Sequence, residues 1–116
     1  MDNINLELQE KIKKVAVKII KHYRGRGPEY VKVNIDSPKV ITVKIKGILS
    51  NLSEILVNEG ALDIVVDYWK VMKPHLEKTY LEEVKDILEK NFTYDWEVCD
   101  IKSDDRIVVI TINLID

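Results

Sequence analysis

The residues best suited to meet an anion stand together in the run Arg24-Gly25-Arg26-Gly27-Pro28. Two guanidinium forks and a glycine-rich backbone with converging N–H groups are the groups that hold a phosphate or a carboxylate. Lys14, Lys18 and Lys21 precede the run at helical spacing, and Lys32 follows it. Unlike a P-loop, the run comes after a helical pattern, so no helix N-terminus faces the anion. Helix capping and chain reversal is the favoured use of the run. Gly25 falls where a left-handed residue ends a helix, and Gly27-Pro28 prevents the helix from resuming.

Other candidate chemistry is thin. His22 and His75 have no cysteine or carboxylate at metal-ligand spacing. Cys99 lies between Glu97 and Asp100, and neighbouring carboxylates disfavour a thiolate, so it reads as a buried, inert thiol. Glu82, Glu83, Asp86 and Glu89, like Asp63 and Asp67, have the spacing of solvent-facing helix acids paired with Lys85 or Lys90. No Ser/His/Asp order, nucleotide fingerprint or zinc motif can be assembled, so the residues call for no catalysis, no metal and no cofactor. Nucleic-acid binding would use Tyr23, Tyr30 and the basic N-terminal third, but a net charge of -2 and a pI of 5.7 argue against it.

The elements that must position these groups are legible from periodicity. Leu8, Ile12, Val15, Ala16, Ile19 and Tyr23 follow helical spacing from Ile4 to Arg24, with Lys11, Lys14, Lys18 and Lys21 on the opposite side. Val31, Val33 and Ile35, then Ile41, Val43 and Ile45, alternate with polar residues around Ser37-Pro38-Lys39 and predict a β-hairpin with one buried face. Ser50 or Asn51 can cap a short helix that Gly60 interrupts. One stripe then runs from Leu62 through Val65, Val66, Trp69, Met72, Leu76, Tyr80, Val84, Ile87 and Leu88, in phase across Pro74, which predicts a kink or two abutting helices. Unbroken from Ala61 to Asn91, such a helix would reach about 46 Å at ~1.5 Å per residue, long enough to suggest that part of the stripe meets a second subunit. Trp96 and Val98, a turn at Lys102-Ser103-Asp104-Asp105, and the apolar run Arg106 to Leu114 complete a second hairpin, whose last strand, apolar on both faces, belongs mid-sheet or under cover on both sides.

The order is an αββ unit stated twice, and Val33-x-Ile35 before Ser37 echoes Val98-x-x-Ile101 before Ser103, as an internal duplication would leave it. The expected fold is α+β: one domain over residues 1–116, a four-stranded, mainly antiparallel sheet with helices packed on one face.

A length of 116 residues, 46% hydrophobic and 33% charged, suits a single domain with a real core. The longest apolar stretch, near Ile107 to Ile112, falls short of the roughly 18 to 20 residues of a membrane helix. One cysteine excludes an intrachain disulfide framework, and the start carries no basic-then-apolar leader pattern, so a cytosolic home is expected. Charge is segregated: Lys11 to Lys46 holds 11 basic residues against Glu29 and Asp36, whereas from Gly47 onward 7 basic residues face 15 acidic ones. Such a dipolar chain can attract an anionic surface with one end or associate head to tail.

The run Tyr23-Arg-Gly-Arg-Gly-Pro-Glu-Tyr-Val-Lys-Val, followed by Ile41-Thr-Val-Lys-Ile-Lys-Gly-Ile-Leu, resembles the YGKGP-x-x-V-x-V … V-x-L-x-G-x-L-T pattern of the MpsC-like family. This is a small bacterial family described as the C component of a Na+-translocating, membrane-potential-generating system. Gly60, Lys73-Pro74-His75-Leu76-Glu77 and Val98-Cys99-Asp100-Ile101 resemble further family segments, so the likeness covers nearly the whole chain. It departs at Lys102-Ser103-Asp104-Asp105, shorter than the family's TKTGE tip, at Cys99, where serine is common, and at Asn51-Leu-Ser-Glu, which replaces a TPAE-like helix start. The resemblance brings no catalytic residues with it. It implies an accessory piece, because an ion path needs polar groups inside membrane-spanning elements that this sequence does not supply. The reading that follows is a non-catalytic, cytosolic, homodimeric domain. It docks on a membrane complex through Lys14, Lys18 and Lys21 and the Gly25-Arg26-Gly27-Pro28 loop, peripheral at the inner face. The alternative is a sensor of a small anion or nucleotide built on Arg24, Arg26 and Lys32.

Overall fold

A computed structural model describes residues 3–99 and 107–115. The turn read at Lys102-Ser103-Asp104-Asp105, the echo at Ile101 and Ser103, and the Cys99 thiol lie outside the described residues and side chains. The chain forms α1 (Asn3–Arg24), β1 (Tyr30–Ser37), β2 (Val40–Lys46), α2 (Asn51–Asn58), α3 (Leu62–Leu88), β3 (Phe92–Cys99) and β4 (Ile107–Leu114). All neighbouring strands are antiparallel, in the order β1-β2-β4-β3. The two hairpins therefore join through their second strands, with Val43 opposite Ile110 at the centre. This α+β architecture repeats one connectivity, helix then hairpin, on the two halves of the sheet.

Local chemistry accounts for the element ends. At the first hairpin the pairing register shifts between Ile35 and Ser37, and the Lys39 N–H donates to Ser37 Oγ at 3.3 Å, which closes the turn. Ser50 caps α2: its side chain accepts from the Ser53 N–H at 3.2 Å. The helix α3 begins after Gly60, which holds φ +86°, and ends on Glu89 in the left-handed region. Between them α3 runs as one helix through Pro74, which is exposed.

One face of the sheet builds the core. Val31, Ile41, Val43, Ile45, Val108, Ile110, Ile112 and Trp96 are buried against Ile12, Val15, Ala16 and Ile19 of α1 and against Leu76, Tyr80 and Val84 of α3. Alternation along the strands sends Lys32, Lys44, Asp95 and Glu97 to the opposite, open face. The charge segregation thus becomes spatial, with lysines on the β1–β2 half and acids on β3. Ile107 and Val109 of β4, which lies between β2 and β3, are half-buried on that open face.

Length decides what else is exposed. The molecule measures 47 × 22 × 21 Å, so α3, about 40 Å at ~1.5 Å per residue, fits along its own long axis. Helix length by itself therefore gives no reason for a second subunit. Eight-residue strands span only about 27 Å. Three residues separate α3 from β3, which keeps the C-terminal end of the helix beside the sheet, and α3 is about 13 Å longer than a strand. Two aromatic pairs mark the two halves of α3: Tyr80 meets Trp96 of the sheet edge-on at 5.9 Å, whereas Trp69 meets Tyr23 of α1 at 5.7 Å, helix against helix.

Candidate functional site

The end of α1, the loop after it, the end of β2 and the start of α2 converge on one side chain. Arg24 belongs to the last turn of α1, and its side chain is only 4% exposed. Its Nε donates to the Leu49 carbonyl, its Nη1 to the Gly27 carbonyl at 2.8 Å, and its Nη2 to Glu54 Oε1 at 3.2 Å. The other oxygen of Glu54 accepts from Arg26 Nη2 at 3.2 Å. One half-exposed carboxylate on α2 thus bridges both arginines of the loop, a charge-assisted arrangement suited to the planar guanidinium.

Backbone fit tightens this junction. The Glu29 N–H donates to the Lys46 carbonyl at 2.8 Å, bringing the loop against the end of β2. Gly47 lies there with φ +86°, and a Cβ at that position would stand 2.7 Å from Glu29 N and 3.1 Å from Arg24 Nη1. Only glycine meets both demands.

The loop encloses a shallow cavity of about 460 Å³ lined by Arg24, Arg26, Gly27, Pro28, Glu29 and Glu54. Arg24 spends its donors inside the chain, so the guanidinium that faces outward is that of Arg26, half-exposed at 51%. Gly25 takes φ +89° in the exposed turn, and its N–H donates to the Lys21 carbonyl at 2.9 Å, which ends α1 by capping. Lys14, Lys18 and Lys21 are exposed on one face of α1, and Lys18 is ion-paired with Glu83 of α3. Lys32 stands apart from them on the open face of β1, 5.0 Å over the Tyr30 ring. The fold therefore gathers Arg26 and the α1 lysines along one helix and its loop, and places Lys32 on a different surface.

Beside the α1 lysines, a groove of about 420 Å³ runs between α1 and α3, lined among others by His22, Tyr23, Met72, His75 and Thr79. Burial, and then the adjacent Tyr68 hydroxyl, push the Tyr23 hydroxyl well above the ordinary tyrosine range. Among the described residues no group of His, Cys, Asp and Glu is arranged to hold a metal ion. No described helix is long and apolar enough to cross a membrane.

Over residues 5–114 the chain matches the family model described as Na+-translocating membrane potential-generating system (MpsC). The chain belongs to the MpsC family. Comparisons with curated proteins and with solved structures return no match. The MpsC name links this chain to a Na+-translocating membrane system. In this MpsC chain the glycine-rich segment Arg24–Pro28 is the loop of the arginine–glutamate junction, and Ile41–Leu49 carries both Gly47 and the Leu49 carbonyl that Arg24 holds. Two features escape a reading of the sequence. Glu54 gives no sign, 30 residues away, that it serves Arg24. Ile64, Tyr68 and Val71 form a second apolar stripe on α3, exposed at 58%, 39% and 74%, and their i, i+4, i+7 spacing was the available signal.

Proposed function

We propose that this MpsC chain is a non-catalytic accessory subunit of a Na+-translocating membrane system, docked peripherally at the inner membrane face and acting as a homodimer. The observation that carries this reading is the exposed cationic ridge formed by Lys14 and Lys21 of α1 with Arg26 of the following loop. The ridge is stiff at its root, because Arg24 and Glu54 fix the loop to α2 and to Leu49. Fixed, solvent-facing cations steer association with an anionic surface and set its orientation. The family supports the nature of the target, a membrane complex. A small-anion sensor on Arg24, Arg26 and Lys32 is less favoured, since Arg24 is buried with each of its three nitrogens bonded within the chain and Lys32 lies on another face.

The test is an affinity capture from detergent-solubilised membranes of the native host, with wild type beside Lys14→Glu/Lys21→Glu/Arg26→Glu. All three positions are exposed, and because Arg26→Glu sets a carboxylate against Glu54, circular dichroism checks that the variant is folded before the capture. Membrane-transport subunits should co-purify with wild type and fall at least tenfold with the variant. Equal recovery with both proteins would sink the reading.

A further inference from the structure

The N-terminal half of α3 carries apolar side chains that the packing of the chain leaves exposed. Ile64, Tyr68 and Val71 are exposed, and the stripe continues into exposed His75. Large apolar side chains aligned along one helix face mark an interaction surface. On this half of the helix the apolar arc extends from the core-facing Val65 and Trp69 around to Val71, wider than α1, α2 and the sheet can cover.

The charges beside the stripe specify its partner. Asp63 and Asp67 flank it before its midpoint, and Lys70 and Lys78 flank it after. A helix that is acidic first and basic second is complementary to a copy of itself in the antiparallel direction, and clashes with itself in the parallel one. An anionic bilayer would meet Asp63 and Asp67 unfavourably, and a uniformly basic segment would meet Lys70 and Lys78 unfavourably. Within the chain, Lys70 and Asp67 make a pair at 3.7 Å with side chains 74% and 77% exposed, a contact loose enough to be exchanged.

We propose that this face is the contact between two copies of the chain, α3 packed antiparallel on α3 about a two-fold axis midway between Tyr68 and Val71. Tyr68 of one copy then lies beside Val71 of the other, and Ile64 beside His75. Asp63 comes opposite Lys78, and Asp67 opposite Lys70, once on each side of the axis. The groove lined by Tyr23, Met72 and His75 adjoins the stripe and is roofed by the second copy. This inference deepens the homodimer of the proposed function by naming its surface. It is tested without membranes, so its failure is distinct from a failure of recruitment.

The experiment is sedimentation equilibrium on the purified full chain, with circular dichroism to show that each variant is folded. Wild type should have twice the 13.5 kDa chain mass. Val71→Glu, at a position 74% exposed and therefore free of the core, should weaken the dimer at least tenfold. Asp63→Lys/Asp67→Lys and Lys70→Asp/Lys78→Asp should each be monomeric, because each sets like charges opposite one another. Mixed in equal amounts, the two should recover a dimer containing one chain of each, read by native mass spectrometry. A monomeric wild type, a dimer unaffected by Val71→Glu, or a mixture that stays monomeric would overturn the proposal.

Discussion

Replacing Arg24 with methionine keeps most of the buried aliphatic volume and removes the guanidinium, so it measures what that group contributes. The Leu49 carbonyl, on a residue 1% exposed, loses its charged donor and stays buried, a loss of about 1–3 kcal/mol. The Gly27 carbonyl is half-buried and recovers part of its bond from water, which limits its share to about 1 kcal/mol. Glu54 is 32% exposed and retains Arg26, so its share is below about 1 kcal/mol after solvent screening. Arg24→Met should therefore cost about 3–4 kcal/mol, a large part of the 5–15 kcal/mol available to a domain. In urea, with a slope of about 2 kcal/mol per molar, the midpoint should fall by about 2 M at unchanged slope. Glu54→Gln leaves one amide oxygen for two arginines and sets an NH2 group against the other, but at 32% exposure water replaces the lost acceptor, so it should cost only about 1 kcal/mol. If Arg24→Met costs less than about 1 kcal/mol, or Glu54→Gln costs as much as Arg24→Met, the guanidinium is not the centre of the junction and the argument fails.

Gly47→Ala should lower stability by about 2–4 kcal/mol, since the methyl group must displace the Glu29 backbone and adopt a positive φ; a urea midpoint within error of wild type would contradict the close approach at 2.7 Å. Tyr80→Phe should be neutral or slightly stabilising at pH 7, because the Tyr80 hydroxyl is buried without a hydrogen-bond partner among the described residues. The same substitution should flatten the alkaline limb: burial raises the Tyr80 hydroxyl above its unfolded value near 10, so its contribution is whole below that pH and is lost as pH rises beyond it. Urea melts between pH 8 and 11 would check this, and equal slopes for wild type and variant would refute it.

Much of the fold was legible because burial acts on local spacing. The period of two in Val31–Ile35 and Ile41–Ile45 and the helical period in Leu8–Tyr23 each report a single buried face, and those faces meet in the core. The central place of β4 was readable from its apolar residues on both sides, which in the structure are half-covered by neighbouring strands rather than by a second layer. Pro74 left two outcomes open, a kink or two abutting helices, and the second does not occur, since α3 is one helix. A proline in mid-helix forfeits one hydrogen bond and crowds the preceding turn, yet Val65 and Trp69 before it and Leu76, Tyr80 and Val84 after it are all buried on one face. Packing along both halves outweighs that local cost, and one helix results.

The candidate site was legible in composition and illegible in geometry. Arg24 and Arg26 differ by two positions and so point differently, but residues distant in sequence decide which one is buried. Leu49 and Glu54 lie 25 and 30 residues from Arg24, and no spacing rule spans a hairpin. The exposed stripe on α3 was hidden for the opposite reason. It sits beside the core stripe on the same helix, and periodicity assigns a helix one apolar direction, the sum of both. Burial separates them: the core stripe meets Tyr23 through Trp69, whereas Ile64, Tyr68 and Val71 stay exposed, Tyr68 stacked on Tyr23 at 6.2 Å. A 27-residue helix is about 13 Å longer than an eight-residue strand, so the sheet cannot cover its whole length, and an ordinary amphipathic pattern leaves a surface that a second copy can complete.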